Sequence, residues 1–100
     1  MNTVLMFRKK PAIEVCDHPI LSSKTHSIVG YDYPMMVKAI GFEPNVSDDE
    51  DKVRWSWSFK IDGDICAIWD WKGSADFKCW SAYGRYETLE KLFGRSVSGL

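Results

Sequence analysis

One hundred residues with 45% hydrophobic content suit a single globular domain with one modest core, and exclude wholesale disorder. Thirteen basic and fourteen acidic residues leave a formal charge of −1, which excludes a general electrostatic pull on nucleic acid and disfavours it as a partner. No apolar run approaches the roughly 20 residues that a membrane-spanning helix needs, so a soluble protein with no membrane partner is expected.

The opening MNTVLMFRKK has no long apolar run with a cleavage site, so no signal peptide is expected. Cys16, Cys66 and Cys79 are odd in number and widely spaced, which reads as reduced thiols in a cytoplasmic protein. Thr3 to Phe7 is a short apolar run. The basic triplet Arg8, Lys9, Lys10 and then Pro11 separate it from Ala12 to Cys16. These residues read as one or two short strands, or one strand broken at Pro11, with the triplet a solvated edge. Asp17 to Gly30 is polar and reads as a loop carrying both histidines. The spacing of Cys16, Asp17, His18 and His26 matches no structural zinc pattern, so no metal or cofactor is expected.

Asp32 to Gly41 predicts a short helix. Asp32 caps it, Pro34 fits its first turn, and Met35, Met36, Ala39 and Ile40 form its apolar face. Gly41 supplies a left-handed residue after its end. Residues 43–52 (EPNVSDDEDK) form an acidic linker, which lacks the spaced oxygens and glycine turn of a calcium loop.

Val53 to Lys72 carries four of the five tryptophans and alternates apolar with polar at period two. It predicts a β-hairpin turning at Asp62-Gly63. A two-residue loop would pair Phe59 with Cys66 and Trp57 with Ile68. A three-residue loop, Asp62 to Asp64, would pair Trp57 with Trp69 and Trp55 with Trp71. Asp-Gly chemistry favours the first register. Burying one aromatic side chain is worth up to roughly 4–6 kcal/mol against about 1 kcal/mol for a turn preference, and on that ground the aromatic-matched register is expected.

Gly73 to Asp76 reads as a turn, Phe77 to Ala82 as a third strand, Tyr86 to Phe93 as an amphipathic helix ended by Gly94, and 95–100 as a loose tail. Assembled, residues 1–100 make one α+β domain: an antiparallel sheet of three to five strands with two short helices on one face.

No nucleophile-base framework and no glycine-rich phosphate loop is present, so a non-catalytic protein is expected. Trp69-Asp70-Trp71-Lys72 is the most informative local feature. With both tryptophans in the core, Asp70 and Lys72 would point outward. That is ordinarily a solubilising face. The functional alternative joins them with Trp80 and Arg85 as a polar rim. Trp69, Asp70, Trp71, Lys72, Trp80 and Arg85 are therefore the candidate binding residues, for a small nucleotide-like ligand or a protein surface.

The segment WSWSFKIDGDICAIWDWK with FKCWSAYG after it resembles small uncharacterised accessory proteins of tailed bacteriophages. There a strand ending in Asp-Gly is followed by an Ile-(Tyr/Trp)-Asp-Trp-Lys element. FRKKPAIEV also looks like the opening of another small phage family. The match is most specific at Ile68 to Lys72 and covers about half the chain. It departs at Trp69, where Tyr is commoner, and at the less glycine-rich Ser81-Ala82-Tyr83-Gly84. The resemblance implies an accessory protein in the host cytoplasm that inhibits a host (defence) factor, by binding a host protein or sequestering a nucleotide signal. The alternative is a structural protein that self-associates through its Trp-rich sheet as a homo-oligomer.

Overall fold

Nine alternating residues and one Asp-Gly turn build the centre of the molecule. The computed structural model describes residues 11–16, 23–47 and 51–99. In chain order the elements are strands β1 (Ile13–Val15) and β2 (His26–Val29), helix α1 (Tyr33–Ile40), strands β3 (Val53–Ile61), β4 (Asp64–Trp71) and β5 (Cys79–Tyr83), helix α2 (Tyr86–Phe93) and strand β6 (Val97–Gly99). Among the described residues the result is α+β: one six-stranded antiparallel sheet in the order β1-β3-β4-β5-β2-β6, with two helices.

The sheet is one strand larger than expected. The extra pairing comes from two stretches read as a loop and a tail. His26–Val29 is inserted between β5 and β6, with Ile28 opposite both Trp80 and Val97. Neither β2 nor β6 is long enough to display an alternation, and each is held by backbone partners distant in sequence. The third strand starts later than expected, because Ser74–Phe77 closes a 3-10 turn and carries Phe77 away from the sheet. The Thr3 to Phe7 run, the basic triplet, Asp17, His18 and most of the acidic run lie outside the described residues.

The hairpin takes the two-residue register: Phe59 pairs with Cys66, Trp57 with Ile68 and Ile61 with Asp64. This corrects the aromatic-matched expectation. Asp62 (φ 49°) and Gly63 (φ 87°) both have positive φ, as a type I′ turn requires. The area argument failed because it assumed that β4 must bury the β3 aromatics. Trp57 and Phe59 are fully buried with Cys66 and Ile68 opposite them, since the helices and Trp80 cover them instead. Their burial did not discriminate between the registers, so the turn decided.

Both helices lie on one face, as expected. From the sheet, Trp57, Phe59 and Ile61 join Cys66, Ile68, Trp80 and Ile28. From the helices, Met36 and Ile40 join Leu89 and Phe93, all in one apolar cluster. Helix α1 starts where the Asp32 carboxylate accepts the Met35 N–H (2.9 Å) and ends at Gly41 (φ 102°). Met35 remains exposed, so Met36 and Ile40 carry its packing. Helix α2 lies against the β4–β5 pair at Gly84. A Cβ there would come within 3.1 Å of Cys66 Sγ and 3.3 Å of Leu89 Cγ. On the other face one cross-strand row reads Ser56, Trp69, Ser81, Ser27, Ser98.

Candidate functional site

The two-residue turn decides where Asp70 points. It shares a strand face with Cys66 and Ile68 and is fully buried. A buried carboxylate is costly unless it is paired and hydrogen-bonded, and Asp70 is both. Its Oδ2 accepts from Arg54 Nε at 2.6 Å. Its Oδ1 accepts from the Ala75 N–H at 2.9 Å and from the Ser74 hydroxyl at 3.4 Å.

Arg54 reaches Asp70 through a β-bulge. Val53 pairs with Trp71 and Ser56 with Trp69, which leaves Arg54 and Trp55 together opposite Asp70. The guanidinium also donates to Asp76 (3.0 Å) and stacks over the Trp55 ring, 4.4 Å from its centroid. Trp55 in turn rests on Tyr33, with centroids 4.4 Å apart. The hydrogen bonds to Asp70 and then to Asp76 hold the Arg54 guanidinium above its ordinary pKa. One arginine thus ties β3, the end of β4 and the following turn together.

Beside this knot lies an open cleft of about 590 Å³, lined by Asp51, Lys52, Arg54, Lys72, Gly73 and Asp76. Trp71 is 43% exposed. The ammonium groups of Lys52 and Lys72 lie 5.8 and 5.5 Å from its ring centroid. The backbone brings the two lysines together, since the Lys72 N–H donates to the Lys52 carbonyl at 2.6 Å. Phe77, beyond the cleft, is 85% exposed.

The structure divides the six expected residues. Trp71 and Lys72 meet at the cleft, with Asp70 beneath them. Asp70 faces inward and Trp71 outward, the reverse of the expectation, because the register flipped the return strand. Trp69 shares the outward face with Trp71 and is half-buried between Ser56 and Ser81. Trp80 is fully buried and its indole N–H donates to the Tyr31 carbonyl at 2.8 Å, so it is a core residue. Arg85 pairs weakly with Asp64 (4.0 Å) and Glu87 (3.9 Å). Asp64 and Trp71 are the two ends of β4, roughly 23 Å apart at about 3.3 Å per residue. The rim expected from Asp70, Lys72, Trp80 and Arg85 therefore does not form.

Lys52, Arg54 and Asp76 line the cleft, and sequence reading missed them. The available signal was the second basic-aromatic pair, Arg54-Trp55, which falls across the hairpin from Trp71-Lys72 in either register.

His26 Nδ1 lies 2.9 Å from Thr25 Oγ1, but that hydroxyl is engaged with the backbone of Gly84 and Ala82. Burial pushes the Cys66 thiol up to about 12, away from nucleophilic use. Among the described residues no group of three His, Cys, Asp or Glu side chains could hold a metal ion. Among them, too, no helix is long and apolar enough to cross a membrane. Comparison with family models, curated proteins and solved structures finds nothing that matches the chain.

Proposed function

We propose that this chain is a small non-catalytic binding protein, a phage accessory protein of the host cytoplasm that inhibits a host (defence) factor by binding it directly. The observation that carries this reading is the cluster at the end of β4. Lys52, Arg54 and Lys72 line an open cleft there together with Asp51 and Asp76, and the rings of Trp55 and Trp71 (43% exposed) lie against those cations. Trp and Arg dominate the anchor residues of protein interfaces. Small-molecule sites enclose most of their ligand, whereas this cleft is open. Sequestration of a nucleotide signal is less well supported, since a base stacking on Trp71 would compete with two lysines already at its ring.

The test is capture from bacterial lysate with wild type and with Trp71→Ala/Lys72→Glu. Capture of a defined protein by wild type, and its loss in the double variant, supports the reading. Equal capture by both sinks it. Light scattering of the free protein tests the self-association alternative, which predicts a dimer or larger species lost in the same variant.

A further inference from the structure

We propose that Asn45 locks the open edge of β3: its side chain stands in for the strand that β1 does not continue, and it keeps β3 from pairing with a second copy of the chain. The inference goes beyond the partner reading and is tested on the free protein.

Strand β3 runs over nine residues, Val53–Ile61, and β4 lies along one side of it. On its other side β1 pairs only with Phe59, Lys60 and Ile61, and the Cys16 N–H adds a bond to the Ser58 carbonyl at 3.1 Å. Among the described residues no strand continues along that side from Ser58 back to Val53. Such an edge presents a row of backbone donors and acceptors to any other chain. Its sequence favours that pairing. Trp55 to Phe59 (WSWSF) is uncharged, alternates aromatic rings with serine, and has neither proline nor glycine. A second copy carries the same strand, and antiparallel pairing about a two-fold axis uses one sequence twice.

Residues 42–46, between α1 and the acidic run, close the gap without forming a strand. The Phe42 carbonyl accepts the Trp57 indole N–H at 2.8 Å, and the Phe42 ring meets Phe59 edge-on with centroids 6.5 Å apart. The N–H groups of Asn45 and Val46 both donate to the Ser56 carbonyl at 3.1 Å. The Asn45 side chain then covers Ser58. Its Oδ1 accepts the Ser58 N–H at 3.0 Å, and its Nδ2 donates to the carbonyls of Ser58 at 2.9 Å and Cys16 at 3.2 Å. In an antiparallel ladder, a hydrogen-bonded residue exchanges both its N–H and its C=O with the residue opposite. A carboxamide offers both a donor and an acceptor from one side chain. Asn45 thus completes on Ser58 the pair that a longer β1 would make, binds the end of β1 to it, and stops the ladder there.

The experiment compares wild type, Asn45→Ala and Gly84→Ala by light scattering over a range of concentrations, with amide exchange on dilute samples. Gly84→Ala loosens α2 and leaves the edge closed, so it isolates the effect of lost stability. Asn45 is exposed, and Asn45→Ala is expected to fold, which melting curves check first. Asn45→Ser, which also lacks the amide, is read in the same way and replaces it if it does not. Wild type and Gly84→Ala are expected to stay monomeric. The mean mass of Asn45→Ala is expected to double as concentration rises. Its Ser58 amide should exchange at least roughly tenfold faster than in wild type when dilute, and regain protection on association. Asn45→Ala that stays monomeric at every concentration overturns the proposal, as does an unchanged Ser58 amide. Equal association of all three proteins also overturns it, by tracing the contact to another surface. Equal association of the two variants alone overturns it by tracing the contact to lost stability.

Discussion

Arg54 Nε lies 2.6 Å from Asp70 Oδ2, and the carboxylate is fully buried while the arginine side chain is 41% exposed. The asymmetry makes Asp70 the member that cannot be satisfied by water. It also receives the Ala75 N–H and the Ser74 hydroxyl, so one side chain secures the entry of the β4–β5 turn. Replacing it with alanine strands those donors and frees Arg54. Asp70→Ala is expected to lower stability by about 2–3 kcal/mol, read as a shift of the urea midpoint. A loss below about 0.5 kcal/mol would show that the turn does not depend on it.

Trp57 and Trp71 lie on the same hairpin with opposite fates, one fully buried and one 43% exposed. Trp57→Ala removes an indole whose N–H donates to the Phe42 carbonyl (2.8 Å) and whose ring packs on Trp80, and it should cost about 4 kcal/mol. Trp71→Ala should cost less than about 1 kcal/mol. Equal losses from the two substitutions would contradict the register.

Gly84 has a φ of 148° and its absent Cβ would crowd Cys66 and Leu89. Gly84→Ala should push α2 off the β4–β5 pair and cost about 1–3 kcal/mol. Amide exchange should locate the loosening in α2 rather than at the β4–β5 turn.

The Cys66 thiol, pushed from 9.0 up to about 12 by burial and then by the Asp64 carboxylate, gives a pH dependence. Between those values the unfolded chain releases the thiol proton while the folded chain keeps it. The contribution is therefore fully present below about pH 9 and is lost as pH rises toward 12. Wild type should lose about 1 kcal/mol more than Cys66→Ala between pH 8 and pH 10, in urea titrations at the two pH values. At pH 8 a thiol reagent should modify Cys16 and Cys79, both partly exposed, and leave Cys66 untouched until the chain unfolds.

The elements legible in the sequence were those whose signal is local. Asp32, Pro34 and Gly41 mark the bounds of α1, Tyr86 to Phe93 repeats at helical spacing, and the alternation from Val53 to Ile61 is long enough to leave no other reading. β2 and β6 were not legible, because three or four residues carry no period and their partners are distant in sequence. The hairpin register was legible in Asp62-Gly63, where a two-residue turn was written plainly. An area argument outweighed it by counting burial that either register provides. The site followed the register. With unbroken alternation the two-residue register puts Arg54 and Asp70 on opposite faces, so only the bulge makes them partners and brings Asp76 and the turn before Phe77 to the same knot. The bulge at Arg54-Trp55 has no signature in composition or spacing.

The placement of His26–Val29 has a consequence for biosynthesis. Both neighbours of that segment come from the far end of the chain, with Val29 facing Cys79 and Ile28 facing Val97. As the polypeptide leaves the ribosome, the segment has no hydrogen-bonding companion until about fifty more residues have been made. The β3–β4 hairpin, whose halves are adjacent, is complete at Trp71, before any of β5 has been made. A nascent chain halted ahead of β5 would thus hold a finished hairpin and an orphan strand. Chaperone capture or mispairing of stalled products should therefore centre on residues 26–29.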